Sequence, residues 1–267
     1  MTTSKMDTTR TPDLHVVKLQ YRLRRNEVVT YVEPAPITFE LHVAMISLAN
    51  GDLICEMKEH FTTEAEAKGA VESMLRAWEV DSDLRYGRGE FRFDFVKSEI
   101  IDRAPVTPGG IHGHLIATLG IASLEAFGTV TIPVERTNYP NPPGSFRLTP
   151  QAESIWVRYQ GYLDGREPLL SMAYFCLTVL ESDAGGRQEA ATLYRIDQTV
   201  LRKIGELTTI RGNNLIVRKA SPGFTRGLRN EERNWLECVI KLLIWRCGET
   251  GERALLPIII MADLPPL

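Results

Sequence analysis

The amino-acid sequence predicts an α+β protein: an N-terminal, mostly antiparallel β-sheet with one packed helix, followed by a C-terminal α-helical bundle. Three observations carry this expectation. Apolar residues alternate with polar ones through the first half, the period of a half-buried strand. Beyond residue 148 they recur at the spacing of a helix packed on one side. Between the two lies "TNYPNPPGS", residues 137–145, whose prolines, asparagines and glycine can extend neither strand nor helix. The expected organisation is a short disordered lead (1–12), a β-rich domain (13–136), a Pro-rich linker (137–147), a helical bundle (148–249) and a hydrophobic tail (250–267).

In the first half, "DLHVVKLQYRLRR" places Val17, Leu19, Tyr21 and Leu23 on one face of a strand. "APITFELHVAMISLANGDLICEMKEHF" reads as two strands around "ANGD", because Asn-Gly tolerates the positive φ angles that a two-residue hairpin turn requires. One helix interrupts the strands, in "TTEAEAKGAVESMLRAW". Thr63 can cap its first turn, and Ala67, Ala70, Val71, Met74, Leu75 and Trp78 form its buried stripe. Strands resume at "EFRFDFVKSEII", with Phe91, Phe93 and Phe95 on one face, and continue through "HGHLIATLGIASL" and "EAFGTVTIPVER".

In the second half, Thr149-Pro150 combines a cap residue with proline at the first helical position, and Ile155, Trp156, Tyr159 and Leu163 follow on one face. The helix after Pro168 is apolar nearly all round, which makes it the central buried helix. "GRQEAATLYRIDQTVLRKIGEL" reads as one long amphipathic helix through Leu193, Ile196, Val200, Ile204 and Leu207. The last helix opens with Asn230 as cap and acids in its first turn. Trp235, Leu236, Val239, Ile240 and Leu243 are its buried stripe, Glu237 and Lys241 pair on its wet side, and Gly248 stops it. "RALLPIIIMADLPPL" is too apolar to float free and should dock on its own chain or on a partner.

Composition is that of an ordinary globular chain: 267 residues, 43% hydrophobic and 24% charged. A net charge of -3 gives no overall drive toward nucleic acid or anionic membrane. Cys55, Cys176, Cys238 and Cys247 show no CxxC spacing and read as small hydrophobes of a reducing compartment. The N-terminus lacks a hydrophobic leader, and the longest apolar run, "PLLSMAYFCLTVL", is shorter than a bilayer requires. These features predict a cytoplasmic protein with no membrane segment and no cofactor.

The basic charge is concentrated. Seven Lys and Arg (202, 203, 211, 218, 219, 226, 229) and one acid, Glu206, lie between Arg202 and Arg229. Within this stretch "TTIRGNNLIVRKA" offers Arg211, Asn213, Asn214, Arg218 and Lys219 as a phosphate or RNA site, because paired guanidinium groups grip phosphate oxygens. Capping and turn chemistry also account for such residues between two helices, and are the more common reason for them. "PGGIHGHLIA" sets His112 and His114 two apart, on one side of a strand, as metal sites do. His42, His60, Glu40 or Glu56 would have to supply a third ligand. "DLRYGRGEFRF" interleaves Arg85, Tyr86, Arg88, Phe91 and Arg92, a composition suited to single-stranded nucleic acid and also to a core strand with a basic rim. Asp164, Arg166 and Glu167 read as a turn with a local ion pair.

The order of helices resembles the HEPN superfamily, its ApeA-like branch in particular. "TVLES" closes a buried helix with Leu180-Glu181, "IRGNNLIVRKA" follows a long amphipathic helix, and "LRNEERNWLECVIKLL" opens the next helix with acids. The likeness covers residues 148–249. It implies a helical bundle that dimerises, preceded by a β-rich region, in a superfamily whose members are often ribonucleases of toxin and antiviral systems. That nuclease motif is an Arg, four to six residues and a His. Here Arg211 is followed by six residues and then Arg218, and the five histidines (15, 42, 60, 112, 114) all lie in the first half. An arginine cannot replace histidine as a proton carrier near neutral pH. The expectation is therefore a non-catalytic binding or assembly protein, a homodimer through its helical half, with a protein partner at the tail. An RNA-binding or ribonuclease-related role of 208–220 is the first alternative, and a metal enzyme at His112 and His114 the second.

Overall fold

A computed structural model of the chain describes residues 11–89, 91–104, 114–118, 134–210 and 227–267. The chain divides into two compact units, Met1–Pro142 and Pro143–Leu267. The fold class is the α+β arrangement that the periodicities predict.

The first unit contains strands β1 (Leu14–Arg24), β2 (Val29–Ala35), β3 (Ile37–Glu40), β4 (Ala44–Ala49) and β5 (Asp52–Met57), helix α1 (Glu64–Tyr86), and strands β6 (Arg92–Asp102), β7 (His114–Thr118) and β8 (Val134–Asn138). Six strands form an antiparallel sheet in the order β3-β4-β5-β1-β6-β7. The rows Ile46–Cys55–Leu19 and Leu48–Leu53–Tyr21 run across it and meet Val71, Leu75 and Trp78 of α1 in one core. The β4–β5 hairpin turns at Asn50 (φ 52°) and Gly51 (φ 78°), the two positive angles that Asn-Gly accommodates. Thr63 caps α1 in a reciprocal capping box with Glu66.

The alternation read in β1 is corrected by one residue at its start. Val16 is buried and Val17 only half-buried, because the β1–β6 register shifts between Val16 and Lys18. The extra residue of a bulge flips the phase of the strand, so the buried set is Val16, Leu19 and Tyr21. Strands β2 and β8 stand outside the sheet as a parallel pair, with Val29 opposite Val134 and Ala35 opposite Asn138.

The second unit contains α2 (Pro150–Leu163), α3 (Leu169–Ala184), α4 (Arg187–Leu193), α5 (Gln198–Ile210) and α6 (Asn230–Gly248). Helix α3 touches α2, α4, α5 and α6, the central place its all-round apolar surface predicts. The single amphipathic helix expected after Gly186 is broken into α4 and α5. Arg195 takes a positive φ of 54°, and Ile196 pairs in parallel with Ile259 of the tail. Asp197 restarts the helix by accepting a hydrogen bond from the Thr199 amide at 2.8 Å. The N-cap of α6 is Arg229 rather than Asn230: the Arg229 amide donates to Glu232 Oε2 at 2.9 Å, and its guanidinium pairs with the same carboxylate at 3.2 Å. Glu237 accepts a hydrogen bond from the Tyr162 hydroxyl.

The tail docks on its own unit. The Asp197 amide donates to the Ile259 carbonyl (2.8 Å) and the Ile259 amide to the Arg195 carbonyl (2.9 Å), while Ile259 and Leu264 are buried. At the same end of the bundle Phe146 bridges Glu249, and the Thr149 hydroxyl donates to the Cys247 carbonyl at 2.9 Å. Among the described residues no helix is long and apolar enough to cross a membrane.

Candidate functional site

The first unit carries a cleft of ≈620 Å³ where the end of α1, the β2–β3 junction and β8 come together. That volume lies within the range of small-ligand sites. Its construction begins in β2, where Glu33 holds a φ of 43° and the β2–β8 register shifts between Tyr31 and Ala35. The chain then crosses into β3 through Ala35, Pro36 and Ile37, which form one wall. Glu135, Arg136, Thr137 and Asn138 of β8 form the opposite wall, and Tyr139, Pro140 and Asn141 complete it.

This wall is tied to the core. Tyr139 is buried against Tyr31, with ring centroids 4.9 Å apart, and its hydroxyl accepts the Gly51 amide at 3.0 Å. The Pro140 carbonyl accepts the indole N–H of Trp78 at 3.0 Å. These residues fall in the stretch whose local chemistry reads as linker, and no local signal marks them as a binding wall.

Tyr86, the last residue of α1, stands at the mouth with 44% of its surface exposed. The Arg136 guanidinium lies over its ring, 4.7 Å from the centroid. The turn after Tyr86 holds it in place. The amides of Gly87 and Gly89 donate to the Asp83 carbonyl (3.1 Å) and to its carboxylate (3.0 Å). Arg92 donates to both carboxylate oxygens of buried Asp83. The basic-aromatic stretch therefore separates into parts: Arg85 pairs with Asp81 at 2.8 Å, Arg92 with Asp83, and Phe91 enters the core. Tyr86 is the member that reaches the cleft.

The other sites read from the sequence are placed as follows. Arg211, Asn213, Asn214, Arg218, Lys219 and His112 lie outside the described residues. Thr208 and Thr209, which open that basic stretch, belong to α5. Their hydroxyls donate to the Ile204 and Gly205 carbonyls at 2.8 and 2.7 Å, as threonines in a helix do. His114 begins β7 opposite Ile101. Two of the third metal ligands considered for it stand on distant strands. Glu56 on β5 is three strands away and Glu40 on β3 five, roughly 14 and 24 Å at the usual spacing. Glu40 binds Lys58, and His42 pairs with Glu59 at 2.8 Å. Arg166 pairs with Asp164 in the α2–α3 turn, the local ion pair expected there.

His60 instead stacks on His15, with centroids 5.1 Å apart and planes within 9°, and its Nε2 lies 3.4 Å from Asp13. Burial, Arg103 and His60 hold the His15 imidazole below its ordinary value of 6.5, against an opposing pull from Asp13. A histidine depressed in this way is neutral when folded and takes up a proton more readily once unfolded. Its contribution is complete above 6.5 and is lost as pH falls below that value. Thermal unfolding is expected to shift down as pH falls below about 6.5, and less so in His15→Gln. An identical pH slope in both proteins would remove His15 as the cause.

In comparison with known proteins, no family model, no curated protein and no solved structure matches the chain.

Proposed function

We propose that the protein is a non-catalytic binding protein that holds a small polar-aromatic group in the cleft of its first unit, with a HEPN-like helical half serving assembly. The observation that carries the reading is the cleft itself: a concave surface of ≈620 Å³ with Tyr86 beneath Arg136 at its mouth and a wall anchored in the core. The second half contributes no histidine, and Arg218 stands where the resembled nuclease motif has one. An arginine at that place can bind a phosphate but cannot carry a proton near neutral pH. In the helical half, Leu255, Ile258 and Ile260 remain exposed although the tail is docked, which supports the assembly part of the reading.

The test is chemical-shift mapping of the isotope-labelled chain with a fragment set of aromatic heterocycles, simple sugars and small carboxylates. Aromatic heterocycles are expected to perturb Tyr86 and residues 135–141, and Arg136→Ala to weaken them about fivefold or more, the scale of a cation–π contact. Fragments that perturb other surfaces and leave these residues unmoved would refute the cleft as the binding site.

A further inference from the structure

We infer that the group held in this cleft is a nucleobase, stacked on the Arg136–Tyr86 platform and read along its edge by the walls; the inference rests on the binding reading above. Three features of the lining decide the class. First, the Tyr86 ring carries the Arg136 guanidinium on one face, 4.7 Å from the ring centroid. That pair presents a flat, delocalised cation, which attracts electron-rich planar rings and gives little purchase to the puckered C–H faces of a sugar. Second, among the described residues the charged members of the lining are Arg136 and Glu135. Among the described residues these two charges are opposite in sign and give no excess cation to hold a phosphate, which favours a neutral group as the recognised part of the ligand. Third, Thr137, Asn138 and Asn141 bring donors and acceptors together, as the mixed edge of a base requires. Glu135 adds an acceptor without a donor. It favours bases with an exocyclic amino group, adenine and cytosine, over uracil.

The base can come from a free nucleotide or from a single strand, and the experiment separates the two. Adenosine, AMP, uridine and ribose 5-phosphate are titrated by calorimetry, and a labelled eight-nucleotide adenine RNA by fluorescence anisotropy at two salt concentrations. The proteins are wild type, Tyr86→Ala and Tyr86→Trp. Adenosine and AMP are expected to bind alike and more tightly than uridine, with no binding of ribose 5-phosphate. Tyr86→Ala is expected to weaken adenosine about tenfold or more, the scale of one stacked base, whereas Tyr86→Trp keeps the affinity and so excludes misfolding as the cause. RNA that binds more tightly than adenosine, with shallow salt dependence and the same loss in Tyr86→Ala, assigns the base to a strand. Equal affinities assign it to a free nucleotide.

Ribose 5-phosphate binding in place of adenosine would overturn the inference. So would RNA binding that ignores Tyr86→Ala and falls steeply with salt, which would place recognition in a basic segment such as 208–220. If heterocyclic fragments map to the cleft but no nucleoside binds, the ligand class fails and the binding reading stands. If neither binds there, both fail.

Discussion

Gly248→Ala is expected to destabilise the helical unit by about 3 kcal/mol, although alanine is the better helix former. A Cβ built on Gly248 would lie 2.2 and 2.5 Å from two carbons of the Phe146 ring and 2.7 Å from the Arg147 carbonyl oxygen. Neither neighbour is the end of a flexible chain. The ring would have to leave its place, where it is 2% exposed, at a cost of about 2–3 kcal/mol of burial. The Phe146–Glu249 bridge and the 2.7 Å bond from the Arg147 amide to the Gly248 carbonyl would be strained with it, at about 1 kcal/mol each. Helix propensity returns roughly 1 kcal/mol. The same substitution at Gly69, inside α1, meets nothing within 4 Å and is expected to stabilise by about 0.5–1 kcal/mol. Urea midpoints of the two variants would separate in opposite directions. Peptide-resolved hydrogen exchange should show faster exchange at 145–147 and the end of α6 in Gly248→Ala alone. A Gly248→Ala protein as stable as the parent would mean that Phe146 does not hold this corner.

The role of Gly248 shows which kind of information the sequence carries. As a local signal it reads as a helix stop, whereas it permits close approach by a segment a hundred positions earlier. Elements set by neighbours along the chain are legible: the Asn50-Gly51 turn, the Thr63–Glu66 box, and the stripe from Trp235 to Leu243, all fully buried. Elements set by distant partners are not. The α4–α5 break looks helical until Ile259 pairs with Ile196, and the bulge at Val17 follows from the register of β1 against β6. The candidate site belongs to the second kind. Residues 137–141 carry turn residues and read as linker, because nothing local reveals that Trp78 donates to Pro140 or that Gly51 donates to Tyr139. Tyr86 is visible as one aromatic in a basic stretch; its neighbour Arg136 comes from a strand whose parallel pairing with β2 has no local signature.

Trp78 joins the core to that site, and its replacement is expected to have the largest effect in the first unit. The ring is fully buried and meets Phe39, Phe91 and Phe93 at centroid distances of 5.6, 5.0 and 5.2 Å. Trp78→Ala removes those contacts and leaves a cavity, at about 3–5 kcal/mol, enough to unfold a marginal unit. Trp78→Phe separates packing from hydrogen bonding. It keeps an aromatic ring among the three phenylalanines and deletes the N–H that holds the Pro140 carbonyl at 3.0 Å. That carbonyl then loses its buried donor, at about 1–3 kcal/mol including the volume change. Because Pro140 lies between Tyr139 and Asn141 in the wall of the cleft, the loss should also appear as weaker adenosine binding in a protein that remains folded. Calorimetric melting and adenosine titration of the two variants measure both effects. A Trp78→Phe protein that melts lower but binds as tightly as the parent would show that the wall keeps its shape without the indole bond. Parallel losses would show that the site is positioned from the core outward.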